Sequence, residues 1–155
     1  MRNSSARRLL CALGIVALGA TRSADAQLPI GTWVRQAPST PAMTMTVEAC
    51  CDGGRRLTYH VLIDKAETLL IVESRFDGTD SPVLMNGKPG GETMAIKLVD
   101  DHHVNAVLKM KNGTLFGTTN GTLSADGKTL TVLNDYTSSG GGQPAGKFTE
   151  IWVRK

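Results

Sequence analysis

The chain has 155 residues and a formal net charge of +3, from 17 Lys and Arg against 14 Asp and Glu. Four of the arginines and one aspartate lie within residues 1–26, so the rest of the chain carries 13 basic and 13 acidic residues. A neutral domain gives no electrostatic argument for nucleic acid or an anionic membrane as a partner. The 129 residues from 27 to 155 suit a single domain.

The first 26 residues have the features of a secretory signal peptide. Arg2, Arg7 and Arg8 precede the apolar run LLCALGIVALGA at 9–20, and SADA at 23–26 provides an A-x-A cleavage site before Gln27. The apolar run is shorter than the roughly 20 residues that span a bilayer, and no second such run follows. We therefore expect cleavage after residue 26, a periplasmic or extracellular location, and no transmembrane segment in the mature chain.

From residue 31 onward the sequence reads as short strands separated by turns. The clearest case is MTMTVEAC at 43–50, where Met43, Met45 and Val47 alternate with polar residues, the period-2 pattern of a half-buried strand. Turn chemistry separates the strands, as at DGG (52–54) and NG (112–113). The predicted strands are 31–36, 43–50, 55–64, 67–76, 81–85, 93–99, 103–111, 114–124, 129–137 and 147–155.

This pattern predicts an all-β fold, an antiparallel up-and-down meander of about 8–10 strands. Strands joined by short turns must be antiparallel neighbours, and a long meander leaves an unpaired edge at each end. Curling the sheet until the first strand meets the last removes both edges, which favours a barrel. A two-sheet β-sandwich is the alternative architecture.

Several segments carry a family resemblance. GTW at 31–33, FDGTDSPV at 76–83, SADGKTLTV at 124–132 and the aromatic ending FTEIWVRK resemble small exported bacterial proteins described as lipocalin-like. The similarity covers most of residues 31–155. It implies a calycin-type barrel in which Trp33 packs at the closed end near Arg154. The chain departs from true lipocalins because it ends on a strand rather than a helix, so the resemblance implies an architecture and no particular ligand.

Candidate ligand-binding residues come from the apolar faces of the predicted strands. Methionine is conformationally adaptable and can line a versatile pocket, although it also fills cores that have few aromatic residues. A non-catalytic protein that holds a small apolar or amphipathic ligand is therefore the leading interpretation. The candidate barrel-lining residues are Trp33, Met45, Tyr59, Met94 and Met110.

No catalytic or metal-binding motif emerges from the sequence. DDHH at 100–103 sits between two alternating strands and is predicted to be a hairpin turn, while His60 is expected to face outward. A protein metal site needs three or four converging ligands, which these spacings do not supply. We expect neither an enzyme nor a cofactor.

Cys50 and Cys51 are the two cysteines of the expected mature chain. They could form a vicinal disulfide, link two chains into a dimer, remain free thiols on opposite faces, or belong to a redox or metal site. The chain is accordingly a monomer or a disulfide-linked dimer. Two further function classes stay open: a structural or partner-binding module that uses a sheet edge or the loop at 138–146, and a thiol or metal enzyme.

Overall fold

The computed structural model describes residues 28–63, 65–140 and 143–155. The predicted signal peptide and its cleavage site lie outside this part of the chain. Within it, ten strands form the regular structure, together with one 3-10 turn at Cys51–Gly53. The strands are β1 (Gly31–Ala37), β2 (Met43–Cys50), β3 (Gly54–Ile63), β4 (Ala66–Ser74), β5 (Asp77–Met85), β6 (Lys88–Leu98), β7 (His103–Lys109), β8 (Leu115–Leu123), β9 (Thr129–Tyr136) and β10 (Gly146–Arg154).

The strands form a closed antiparallel barrel in which each strand pairs with its neighbours in the chain and β1 also pairs with β10. Closure places Trp33 opposite Arg154 and Arg35 opposite Trp152 in the register. The up-and-down barrel predicted from the sequence is confirmed, and the sandwich alternative is not the architecture. No helix among the described residues is long and apolar enough to cross a membrane.

Two strands begin earlier than the sequence pattern indicates. The predicted strands 67–76 and 81–85 leave the DG pair at 77–78 outside regular structure, but Gly78 takes a φ of 88° and β5 already begins at Asp77, with a register shift between Asp77 and Asp80. Glycine tolerates this conformation because it has no Cβ. In the NGKPGG segment the turn is confined to Asn86 and Gly87, and β6 begins at Lys88.

The two ends of the barrel differ. The connections after β2, β4, β6 and β8 lie at one end, where Leu28 and Trp33 are buried, and we call this the closed end. Trp33 donates its indole N–H to the carbonyl of Pro29 at 3.2 Å, and Arg55 donates to the carbonyl of Leu28 at 3.2 Å. These bonds fix residues 28–30 over the barrel. The opposite end, with the connections after β1, β3, β5, β7 and β9, is the open end.

The β4–β5 seam has the fewest paired residues of any join in the barrel wall. β4 and β5 share two residue pairs, Leu70 with Met85 and Ile71 with Leu84. By contrast, β3 and β4 pair continuously from Arg55 with Ser74 to Ile63 with Ala66. Both pairs of the seam lie toward the open end, so β4 and β5 separate as they approach the closed end.

Candidate functional site

The barrel encloses a cavity of about 390 Å³. This volume falls within the roughly 300–1,000 Å³ typical of small-molecule sites. Leu28 and Phe76 line it toward the closed end, and Met85 and Met110 line it at the open end. Met85 and Met110 are 47% and 41% exposed, so the cavity reaches solvent at the open end.

One side of the cavity is apolar. The strands β2–β7 turn mainly aliphatic and methionine side chains inward, because each alternates inward and outward residues. We call these inward side chains the apolar wall. It includes Met43, Met45, Leu57, Val61, Val72 and Ile96, all of which are buried.

The opposite side carries polar groups, which we call the polar wall: Asn134, Gln143 and Glu150 line the cavity, and the buried Arg35 lies outside the lining and pairs with Glu150. Arg35 donates from Nη1 to Glu150 Oε1 at 2.6 Å and from Nη2 to the carbonyl of Pro41. Glu150 also accepts hydrogen bonds from Gln143 Nε2 at 3.1 Å and from Trp152 Nε1 at 3.3 Å. Arg35 and Glu150 are 4% and 6% exposed, so they form a buried ion pair.

Asn134 is the least satisfied member of the polar wall. Its side chain is 3% exposed and lines the cavity from β9. Neither its amide nitrogen nor its amide oxygen has a hydrogen-bond partner within the described parts of the chain. Buried side-chain polar atoms nearly always have a partner, so an unpaired amide beside a cavity requires an explanation.

Two tyrosines add neutral hydrogen-bonding groups to the cavity. Burial raises the pKa of Tyr59 and of Tyr136 above the ordinary value of a tyrosine. The nearby Glu150 carboxylate is the second, smaller cause of the increase in both. Both therefore stay protonated at neutral pH. Tyr59 packs edge-on against Trp152 with the ring centroids 6.1 Å apart. Gly117 lies opposite Tyr136, where a Cβ would come within 2.3 Å of the Tyr136 ring, so the close approach of the ring depends on glycine.

The structure brings four of the five predicted lining residues to the cavity. Met45, Tyr59 and Met94 line it on β2, β3 and β6, and Met110 lines it at the open end just beyond β7. Trp33 differs from this expectation, because it packs into the closed end outside the cavity lining. The register places Trp33 opposite Arg154, and the proposed packing of the two side chains stays a prediction.

Sequence reasoning did not identify the polar wall. Arg35, Asn134 and Glu150 each occupy an inward position in a strand whose other inward residues are mostly apolar, such as Trp33 on β1 and Trp152 on β10. A charged or amide residue at an inward position is the signal that could have revealed them. Gln143 lies in the connection after β9, where no periodicity exists.

The cysteine pair lies at the closed end, away from the open mouth of the cavity. Cys50 and Cys51 are joined as a vicinal disulfide in the structure, and Cys51 and Asp52 both take positive φ in the turn that follows β2. This is the intrachain arrangement among the predicted alternatives; the role of the pair in solution stays a prediction. Cys51 also borders a groove of about 280 Å³ on the β4–β5 seam, lined by Glu73, Arg75 and Asp77 among others.

Thiol counting tests the cysteine arrangement directly. We expect denatured, unreduced protein to contain no titratable thiol from Cys50 or Cys51, and reduction to release both at unchanged monomer mass. Because the bridge closes the shortest possible loop, replacing both cysteines by serine should cost only about 1 kcal/mol in the free energy of unfolding. A covalent dimer on non-reducing electrophoresis would contradict the intrachain assignment.

The DDHH segment forms the predicted turn between β6 and β7. Asp100 accepts hydrogen bonds from the backbone N–H groups of His102 and His103 at 2.8 and 2.9 Å, and also pairs with the His103 ring at 2.8 Å. These hydrogen bonds, led by that from His102, lower the pKa of Asp100. Within residues 28–63, 65–140 and 143–155, no three His, Cys, Asp or Glu residues are placed to hold a metal ion.

Replacing Asn134 with leucine is expected to stabilise the protein. The substitution removes an amide that is buried without partners, and leaving such a group unpaired costs about 1–3 kcal/mol. Urea unfolding should show an increase of about that size in the free energy of unfolding. Asn120→Leu, the same change on the outer face of β8, is the control and should shift stability by less than about 0.5 kcal/mol. Lower stability of Asn134→Leu would show that the amide is satisfied in solution.

Comparison with known proteins finds no matching family model, no matching curated protein and no matching solved structure. The functional argument therefore depends on the geometry of the cavity and on the chemistry of its two walls.

Proposed function

We propose that this protein is a non-catalytic, lipocalin-like binding protein that holds a small apolar or amphipathic ligand inside its barrel. The observation that carries the proposal is the cavity of about 390 Å³, bounded by the apolar wall and reaching solvent at the open end. A barrel built only as a scaffold would be expected to fill its interior, because protein cores pack with few voids larger than a water molecule. The signal-peptide pattern supports a periplasmic or extracellular location for this proposed binding activity.

The methionines of the apolar wall support a ligand with an adaptable fit. Met43 and Met45 on β2 are buried, while Met94 on β6 is partly buried and packs against the core. Unbranched thioether side chains can repack around ligands of different shape at little cost. A hydrocarbon chain or ring system that contacts them would gain about 25 cal/mol for each Å² of apolar surface removed from water.

Native mass spectrometry of gently purified protein tests the proposal. We expect a population with an additional small-molecule mass, and we expect a neutral fluorescent probe, N-phenyl-1-naphthylamine, to bind the ligand-free protein. Ala106→Phe, which projects a ring into the cavity from β7, should abolish both signals. Val107→Phe, at the next residue of β7 and outside the cavity lining, is the matched control and should retain them. Absence of both retained mass and probe binding in the unmodified protein would refute the proposal.

A further inference from the structure

The polar wall restricts the chemistry of the ligand that the barrel would hold. Its two charged members already neutralise each other, because Arg35 and Glu150 are bonded at 2.6 Å. Glu150 receives two further donors, from Gln143 and Trp152, and Arg35 also donates to the carbonyl of Pro41. The polar wall therefore has no net charge to offer, and both members of the pair have their main hydrogen bonds inside the protein. The other charged residues of the cavity lining, Glu92 and Lys109, lie toward the open end, where Lys109 pairs with Asp80 at 2.7 Å.

An anionic head group is disfavoured beside the polar wall. A carboxylate brought into the cavity would lose its hydration, and its attraction to Arg35 would be offset by repulsion from Glu150 at almost the same place. Displacing Glu150 from Arg35 would leave a buried carboxylate without its ion-pair partner. A cationic ligand meets the same difficulty with the opposite sign.

Among the described residues, Asn134 offers a free hydrogen-bond donor and acceptor, which the Arg35–Glu150 ion pair does not. Its amide has a donor and an acceptor that are both without partners, and it lies on the cavity lining between Thr119 on β8 and Phe148 on β10 in the register. An amide is neutral and pairs best with another neutral group that can both donate and accept. The protonated hydroxyls of Tyr59 and Tyr136 add further neutral groups around the same cavity.

We infer that the ligand of this barrel carries an uncharged hydrogen-bonding head group, such as a primary amide or an alcohol, attached to an apolar body. The head group pairs with the Asn134 amide, and the apolar body lies against the apolar wall. This inference rests on the proposed function, and it names the ligand class that the same cavity selects. A buried water that satisfies Asn134 is the competing explanation, and it predicts no selectivity among head groups.

Competitive displacement of a bound probe distinguishes a site that selects an uncharged head group from a site that shows no selectivity among head groups. Protein purified from a bacterial host that expresses the full 155-residue chain would be loaded with N-phenyl-1-naphthylamine and titrated with decanamide or with decanoate at pH 7.5. The two competitors share a ten-carbon chain and differ in the charge of the head group. We expect half-maximal displacement by decanamide at a concentration at least tenfold lower than by decanoate.

Variants then assign the preference to Asn134. Asn134→Leu should weaken decanamide by about three- to tenfold relative to the affinity of the same variant for the probe, the value of one hydrogen bond, while Asn120→Leu on the outer face of β8 should behave as the unmodified protein. Decanoate displacing as well as decanamide, or Asn134→Leu leaving the decanamide affinity unchanged, would overturn the inference and leave the proposed function standing. Failure of the probe and both competitors to bind the unmodified protein would overturn the two together.

Discussion

Replacing Glu150 with leucine is expected to lower the free energy of unfolding by about 3–5 kcal/mol, because it leaves the buried Arg35 guanidinium without its counter-charge. Arg35 would keep its bond to the Pro41 carbonyl and its long 3.5 Å contact with Gln143. Neither partner carries a charge that could replace the carboxylate. Urea unfolding followed by circular dichroism measures the change, and the slope of the transition shows whether the native state stays compact.

The double variant Arg35→Met/Glu150→Leu is the matched control. It removes both charges together, and buried ion pairs replaced by apolar side chains of similar volume are often neutral in stability. We expect it to recover most of the stability that Glu150→Leu loses. A double variant as unstable as the single one would mean that the bonds of Arg35 to Pro41 and of Glu150 to Trp152 matter more than the pairing of the charges.

Replacing Trp33 with alanine is expected to cost about 3–5 kcal/mol, the usual loss for a large aromatic side chain removed from a core. Trp33 is 0% exposed, and its indole N–H donates to the carbonyl of Pro29. Its loss would open a void at the closed end and remove one of the two hydrogen bonds that hold residues 28–30. Chemical unfolding provides the measurement.

Two controls accompany the Trp33 variant. Trp33→Phe should lose less than half of the free energy of unfolding that Trp33→Ala loses. It gives up the hydrogen bond but keeps most of the apolar volume. Ile151→Ala on the outer face of β10, where the side chain is 36% exposed, should cost about 1 kcal/mol or less. A change below 1 kcal/mol for Trp33→Ala would show that the closed end is not a stabilising core.

The fold could be predicted largely from the sequence because its elements are local. Alternation in MTMTVEAC and turn residues such as Asn112-Gly113 define strands and hairpins within about ten residues, and antiparallel pairing of neighbours then follows. The early start of β6 was missed because Lys88–Gly91 has the composition of a turn. Its pairing with β5, including Leu84 with Pro89, decides its conformation, and pairing is a tertiary property.

The candidate site could be predicted only in part. Met45, Tyr59 and Met94 lie on apolar faces, which the period-2 pattern identifies, and the barrel turns these faces inward. The cavity is the volume that the inward side chains of ten strands leave unfilled. That volume depends on all ten strands together, so no local sequence pattern predicts it. The Arg35–Glu150 pair joins the first strand to the last, 115 residues apart in the chain, so neither residue reveals its partner in the sequence.

The β4–β5 seam has a consequence for the size of molecule that the interior can admit. A fully paired barrel can widen only by breaking a long run of backbone hydrogen bonds, whereas widening at this seam would break two residue pairs and the hydrogen bonds between Leu69 and Asn86. The other nine joins between strands would not have to break for the barrel to widen at this seam. The β4–β5 seam is therefore the join at which a molecule larger than the cavity would displace the fewest paired residues.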